Sequence, residues 1–223
     1  MSSITLMVKD AYIERGSMTI NNLTLRKFQE ELYESLGKYK RILLKAPTGS
    51  GKTMTLLLGA IKSFEELTFY PVVGIYPSKA LVYDQARSIK QTLMKIGFKQ
   101  INDTTFRGRL IINGKDRGET EIKVNVITAD RKEVPGIMPQ SPTIILTVPE
   151  YPYIYISSFN MSDIMSRLIE ISMNYSFNEA LEKLSYIPRS KLRDVWNFFS
   201  MFFNGYWFID EYHLYSGITR SSV

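Results

Sequence analysis

Two spacings organise the apolar positions of this chain. Ile4, Leu6 and Val8 alternate with polar neighbours across residues 4–13, which predicts a strand or two. Leu25, Phe28, Leu32 and Leu36 recur at helical spacing over residues 24–37, and Gly37 suits the helix end. Arg41-Ile-Leu-Leu-Lys45 is a short apolar run, as expected of a parallel strand covered on both faces. A helix is predicted over 53–66, a buried strand over Val72 to Tyr76, and a helix over 79–96 with Val82, Ala86, Ile89, Leu93 and Ile96 on one face. Between 103 and 127 the pattern becomes that of a hairpin: Asn113-Gly114 marks the turn, and Ile122, Val124 and Val126 alternate on the return. Ile144 to Thr147 reads as another buried strand, 161–203 as mostly helical and rich in Met, Phe and Tyr, and Tyr206 to Ile209 as the last strand. Strands alternating with helices imply an α/β fold of βαβ units around a mostly parallel sheet.

Composition narrows the class. The chain has 223 residues, 44% hydrophobic and 22% charged, enough for one large domain or a domain with an insertion. No apolar run reaches the roughly 18 residues that a membrane span needs. The most apolar stretch, Phe198 to Ile209, is broken by Ser200, Asn204 and Gly205. The first ten residues lack the basic-then-apolar order of a signal peptide. There is no cysteine, which excludes disulfides and thiolate metal sites and fits a reducing cytoplasm. The net charge of +6 favours phosphate-rich partners. His213 is the one histidine, so no metal site on this chain can use paired histidines, and a nuclease of the histidine–aspartate type is excluded.

The chemistry concentrates at two places. Residues 46–53 read Ala-Pro-Thr-Gly-Ser-Gly-Lys-Thr between a predicted strand and a predicted helix. Glycines let a backbone curl until successive N–H groups point inward at a phosphate, and the next helix adds its positive end. Thr48, Gly49, Ser50 and Gly51 would form the cradle. Lys52 would reach the β- and γ-phosphates of ATP, and the Thr53 hydroxyl would hold Mg²⁺. The second place is Trp207-Phe-Ile-Asp-Glu-Tyr-His213. Asp210 and Glu211 leave the end of a buried strand, where they would face a ligand crevice. Asp210 would hold Mg²⁺ through water, and Glu211 would orient the attacking water.

These residues resemble superfamily 2 helicases, whose usual phosphate loop begins with Ala as here, and Asp210-Glu-Tyr-His213 resembles the DExH form of their second nucleotide motif. Three further segments follow in the right order. Arg26-Lys-Phe-Gln29, with Gln29 lying 23 positions before Lys52, resembles the glutamine motif that reads adenine. Tyr76-Pro-Ser-Lys-Ala-Leu-Val-Tyr-Asp-Gln85 is similar to the motif in which Ser78 and Lys79 would touch a phosphodiester backbone. Ile144-Ile-Leu-Thr-Val-Pro-Glu150 is similar to the motif whose threonine, here Thr147, does the same, and Thr128-Ala-Asp-Arg131 is a looser match to the segment before it. The resemblance implies that His213 couples the ATP site to a second motor domain and to the bound strand.

The implied fold is a three-layer RecA-like P-loop domain with a mostly parallel central sheet. It would carry an inserted β-hairpin and a helical insertion, about residues 161–203, before the last strand. The expected organisation is a single first motor domain over 1–223, with the second supplied by more chain or by another polypeptide. Within the superfamily, Phe208-Ile-Asp-Glu-Tyr-His-Leu-Tyr215 is most similar to the CRISPR-associated helicases of type I systems, in the archaeal form whose nuclease is a separate polypeptide. That resemblance implies single-stranded nucleic acid, DNA first, as partner, together with a separate nuclease and a surveillance complex. The alternatives left open are an RNA helicase, a restriction-type translocase, and a truncated nucleotide-binding module without turnover.

Overall fold

The computed structural model describes residues 3–7, 14–39, 41–46, 49–128, 141–151 and 205–210. Its strands are β1 (Ser3–Met7), β2 (Arg15–Ile20), β3 (Leu23–Arg26), β4 (Arg41–Lys45), β5 (Val72–Ile75), β6 (Lys99–Gln100), β7 (Thr105–Ile112), β8 (Lys115–Ile127), β9 (Thr143–Thr147) and β10 (Tyr206–Ile209). Its helices are α1 (Lys27–Ser35), α2 (Met54–Glu65) and α3 (Lys79–Lys95). The expected helical insertion at 161–203 lies outside the described residues, as do Thr48, Glu211 and His213.

The main sheet runs β10-β5-β9-β8-β7-β2-β3, with β6 beside β7. From β10 to β8 every pairing is parallel, and from β8 onward every pairing is antiparallel. The fold is α/β and RecA-like, with its parallel half at one side. β5 and β9 are buried at every position, as strands covered on both faces must be. Val72 and Gly74 face α2, which closes so tightly that a Cβ on Gly74 would stand 3.0 Å from Leu56 and 2.9 Å from Leu146. Val73 and Ile75 point to the opposite face and are buried as well. α2 is apolar nearly all round, with Leu56, Leu57, Leu58, Ala60 and Ile61 all buried, which marks it as a core helix.

Three expectations change. The helix predicted over 24–37 starts later, because Leu23–Arg26 pairs with β2 before α1 begins. Leu25 is buried in both readings, since a strand and a helix can each point one residue inward. The hairpin is not a free insertion: Asn113 and Gly114 make its turn with φ of 49° and 73°, but β8 continues into a parallel pairing with β9. Finally, β4 joins β1 in a separate two-stranded parallel sheet and is half-covered, with Leu43 50% exposed. Ile42 and Leu44 turn to the core, while Arg41, Leu43 and Lys45 share the outer face. The two cations at alternate positions select that face for water. Among the described residues no helix is long and apolar enough to cross a membrane.

Candidate active site

Parallel strands put their carboxyl ends on one rim, and the site is built there. The Asp210 N–H donates to the Ile75 carbonyl at 3.0 Å, so the β10–β5 ladder runs one residue past β10 and fixes Asp210 at that rim. The Tyr76 N–H donates to the Thr147 carbonyl at 2.9 Å and does the same for β5 and β9. Thr128 follows the last residue of β8, whose partner on β9 is Thr147. Thr128, Thr147, Tyr76 and Asp210 therefore line successive strand ends, and Ser78 and Lys79 follow just after β5.

The loop between β4 and α2 closes on this rim. Gly49 and Gly51 have φ of 76° and 89°, a left-handed conformation that glycine adopts without strain. The loop runs into α2 through bonds from the Met54 N–H to the Gly51 carbonyl and from the Thr55 N–H and hydroxyl to the Lys52 carbonyl. The Lys52 ammonium lies 3.8 Å from an Asp210 carboxylate oxygen, an ion-pair distance too long for a hydrogen bond. Both side chains keep about 30% of their surface open, at 31% and 29%. Two distant sequence motifs thus meet with opposite charges in one cleft.

Arg26 and Gln29 hold the loop from behind. The Arg26 guanidinium donates to the carbonyls of Gly49 and Ser50. The Gln29 amide nitrogen donates to the Gly51 carbonyl at 3.0 Å, and its oxygen accepts from the Arg26 N–H at 2.9 Å. Those partners fix the amide orientation: a flip would set donor against donor and acceptor against acceptor. Gln29 is buried. The amide that resembles an adenine reader bonds to the loop backbone in this structure. Glu30 anchors the same helix turn to β2, accepting from the Ser17 hydroxyl and from the N–H groups of Ser17 and Met18. The Ser17 hydroxyl, foremost among these donors, holds the Glu30 carboxyl below its ordinary range despite some desolvation.

The donor set suits a magnesium–triphosphate. Thr53 gives its hydroxyl proton to the Gln85 side-chain oxygen, which leaves hydroxyl lone pairs for a hard cation. The Ser50 hydroxyl is wholly buried in the loop and finds no partner among the described residues. Neither the Arg26 clamp nor the Gln85 contact was read from sequence, although the Arg-x-x-Gln spacing at 26–29 has the reach of a capping box.

The expected nucleic-acid contacts are placed unevenly. Ser78 caps α3, its hydroxyl accepting from the Leu81 N–H at 3.3 Å, and Lys79 opens the helix on the surface. Thr128 and Thr147 are buried at 0% and 2% exposure. The Thr128 hydroxyl has no partner among the described residues, and that of Thr147 reaches only the Val148 carbonyl at 3.4 Å.

The family model of the DEAD/DEAH box helicase matches residues 26–148, more than half the chain. The chain belongs to the DEAD/DEAH box helicases. This helicase domain is an ATP-dependent motor unit that works on nucleic acid. The match runs from Arg26 past the phosphate loop to the end of β9 and stops before Asp210. No curated protein and no solved structure matches the chain.

Proposed function

We propose that this helicase domain is the first motor unit of a superfamily 2 DNA helicase or translocase, of the kind that serves type I CRISPR interference. The observation that carries the nucleotide reading is the approach of Lys52 to Asp210 at 3.8 Å, which sets a phosphate-seeking cation beside a magnesium-seeking carboxylate. In this reading the loop from Thr48 to Thr53 wraps the phosphates, and Lys52 neutralises the β- and γ-oxygens. Thr53 and Asp210 hold Mg²⁺, which when bound offsets charge gathering on the transferred phosphoryl group. Glu211 orients the attacking water, and His213 passes the state of the ATP site to the second motor unit and to the strand.

Ser78 and Lys79 grip phosphates of a single strand, and Thr128 and Thr147 join them when the rim opens. The second motor unit supplies the arginines that complete the site, an effect worth roughly 10³-fold or more in rate. The isolated domain therefore binds ATP weakly and turns it over poorly. The DNA and CRISPR assignment rests on the sequence Asp210-Glu-Tyr-His-Leu-Tyr215, and a nuclease and a surveillance complex come with it as partners in the cytoplasm.

The test is ATP hydrolysis with the second motor unit present, stimulated by single-stranded DNA or by single-stranded RNA of the same sequence. The expected result is DNA-stimulated turnover that Lys52→Ala abolishes. Turnover that survives Lys52→Ala defeats the ATPase assignment. Stimulation by RNA alone moves the domain to the RNA helicases.

A further inference from the structure

A hydroxyl carries one proton and two lone pairs, so a hydroxyl that holds a cation must send its proton elsewhere. In a helix the usual destination is local. Thr55 donates to the Lys52 carbonyl, Thr92 to the Ser88 carbonyl and Ser35 to the Glu31 carbonyl, each three or four residues back. Thr53 behaves differently. It stands at the N-cap of α2 with φ of −55° and ψ of −30°, and its side chain makes no capping bond to its own helix. Its hydroxyl donates instead to the Gln85 side-chain oxygen, on α3 and 32 positions away.

The loop explains the difference. The carbonyls four and three residues before Thr53 are those of Gly49 and Ser50, and both already accept from the Arg26 guanidinium. The local acceptors that serve Thr55 and Thr92 are thus engaged by a cation in the case of Thr53. The acceptor that replaces them is held in place by packing. Gln85 is half-buried and lies between Val82 and Ala86, which are buried and seat α3, and Ile89 continues the buried stripe. With its proton committed to α3, the Thr53 oxygen keeps its lone pairs on the side away from Gln85.

We propose that Gln85 is a positioning residue for the metal half of the site: its oxygen takes the Thr53 proton and so readies the hydroxyl lone pairs for the magnesium of MgATP. This rests on the reading of the loop as a nucleotide site, and adds to it a residue from a different helix. In this role Gln85 touches neither phosphate nor metal. It acts only as an acceptor, so a carboxylate oxygen can replace its amide oxygen. An apolar side chain of similar size cannot, because the hydroxyl is then free to rotate its proton toward the cation.

The experiment is calorimetric titration of the whole chain with ATP, in Mg²⁺ and again in EDTA, and the readout is the ratio of the two affinities. The chains are wild type, Gln85→Leu, Gln85→Glu, Thr53→Val, and Thr53→Val combined with Gln85→Leu. Gln85→Leu should lower the ratio by roughly three- to tenfold, the scale of one hydrogen bond, and leave the affinity in EDTA unchanged. Gln85→Glu keeps the acceptor and should match or exceed the wild-type ratio. In the Thr53→Val chain, which lacks the hydroxyl, adding Gln85→Leu should lower the ratio no further. A wild-type ratio in folded Gln85→Leu overturns the proposal, as does an equal loss with and without Mg²⁺, which would make Gln85 a structural residue. A further fall of the ratio in the double variant overturns it too, since Gln85 would then act without Thr53. If Gln85→Leu does not fold, folded Gln85→Glu decides, and a ratio below wild type there ends the acceptor role. A wild-type chain that binds no ATP in either buffer defeats the nucleotide reading itself, a result distinct from all of these.

Discussion

Lys52 and Asp210 stand 3.8 Å apart across the gap between the phosphate loop and the end of β10. The two residues are far apart in the sequence, and each keeps about 30% of its side chain open. An ion pair that open adds little to stability, about 0–1 kcal/mol. Its position suits a ligand that carries both signs of charge, such as a triphosphate with its magnesium.

Lys52→Ala should therefore separate binding from folding. Loss of the pair costs at most about 1 kcal/mol, a change of roughly 2–4 °C in melting temperature for a chain of this size. MgATP affinity should fall by at least about tenfold, the worth of one charged contact to phosphate. Thermal melts with and without MgATP check both halves. A collapse of the unliganded melting temperature would make Lys52 a structural residue.

Gly74 sits at a close approach between the sheet and α2. Gly74→Ala puts a methyl group within 3.0 Å of Leu56, Leu146 and Tyr76 at once. All three are buried. Overpacking of this kind costs about 1–3 kcal/mol. Urea denaturation of the variant should show that loss with an unchanged denaturant slope, whereas an unaltered midpoint would mean that α2 sits farther from β5.

Much of this was legible in advance because local chemistry and tertiary demand agree. Glycines at 49 and 51 are where left-handed backbone is needed, Asn113-Gly114 is where the hairpin turns, and the apolar runs at 72–75 and 144–147 are the strands buried on both faces. The misreadings have one origin, which is pairing. Nothing local in Leu23–Arg26 says that β2 will claim it as a strand, and nothing in Ile42-Leu-Leu44 says that β1 will be its partner. The roles of Arg26 and Gln85 were hidden for the same reason, since each acts on a residue more than twenty positions away. Thr128 and Thr147 were read as contacts from the motifs, and motifs carry no burial.

Thr128 supplies a sharper test. Its hydroxyl is buried and has no hydrogen-bond partner among the described residues. Thr128→Val keeps the shape and removes the stranded polar group, and should be neutral or stabilising by up to about 1 kcal/mol. If the hydroxyl grips a strand when the rim opens, the same variant loses single-stranded DNA affinity while keeping its stability. Destabilisation by more than about 1 kcal/mol would show that the hydroxyl has a partner in the resting fold.

Glu30 makes the clamp sensitive to acid. Its folded-state pKa is below the ordinary glutamate value of 4.5, chiefly through the Ser17 hydroxyl. A carboxyl shifted downward stabilises the fold above its unfolded-state pKa, and that contribution fades as pH falls through the folded value. Melting temperatures taken from about pH 6 to about pH 3 should fall more steeply for wild type than for Glu30→Gln. Parallel curves would mean that the three donors from Ser17 and Met18 do not hold the carboxylate.

The most direct measurement is equilibrium binding of ATP to the whole chain, with and without Mg²⁺, for wild type, Lys52→Ala and Asp210→Asn. The account predicts wild-type affinity that rises with Mg²⁺, a loss of at least about tenfold for Lys52→Ala, and an Asp210→Asn chain whose affinity barely responds to the metal. Equal affinity in all three chains, or a metal effect untouched by Asp210→Asn, would contradict it.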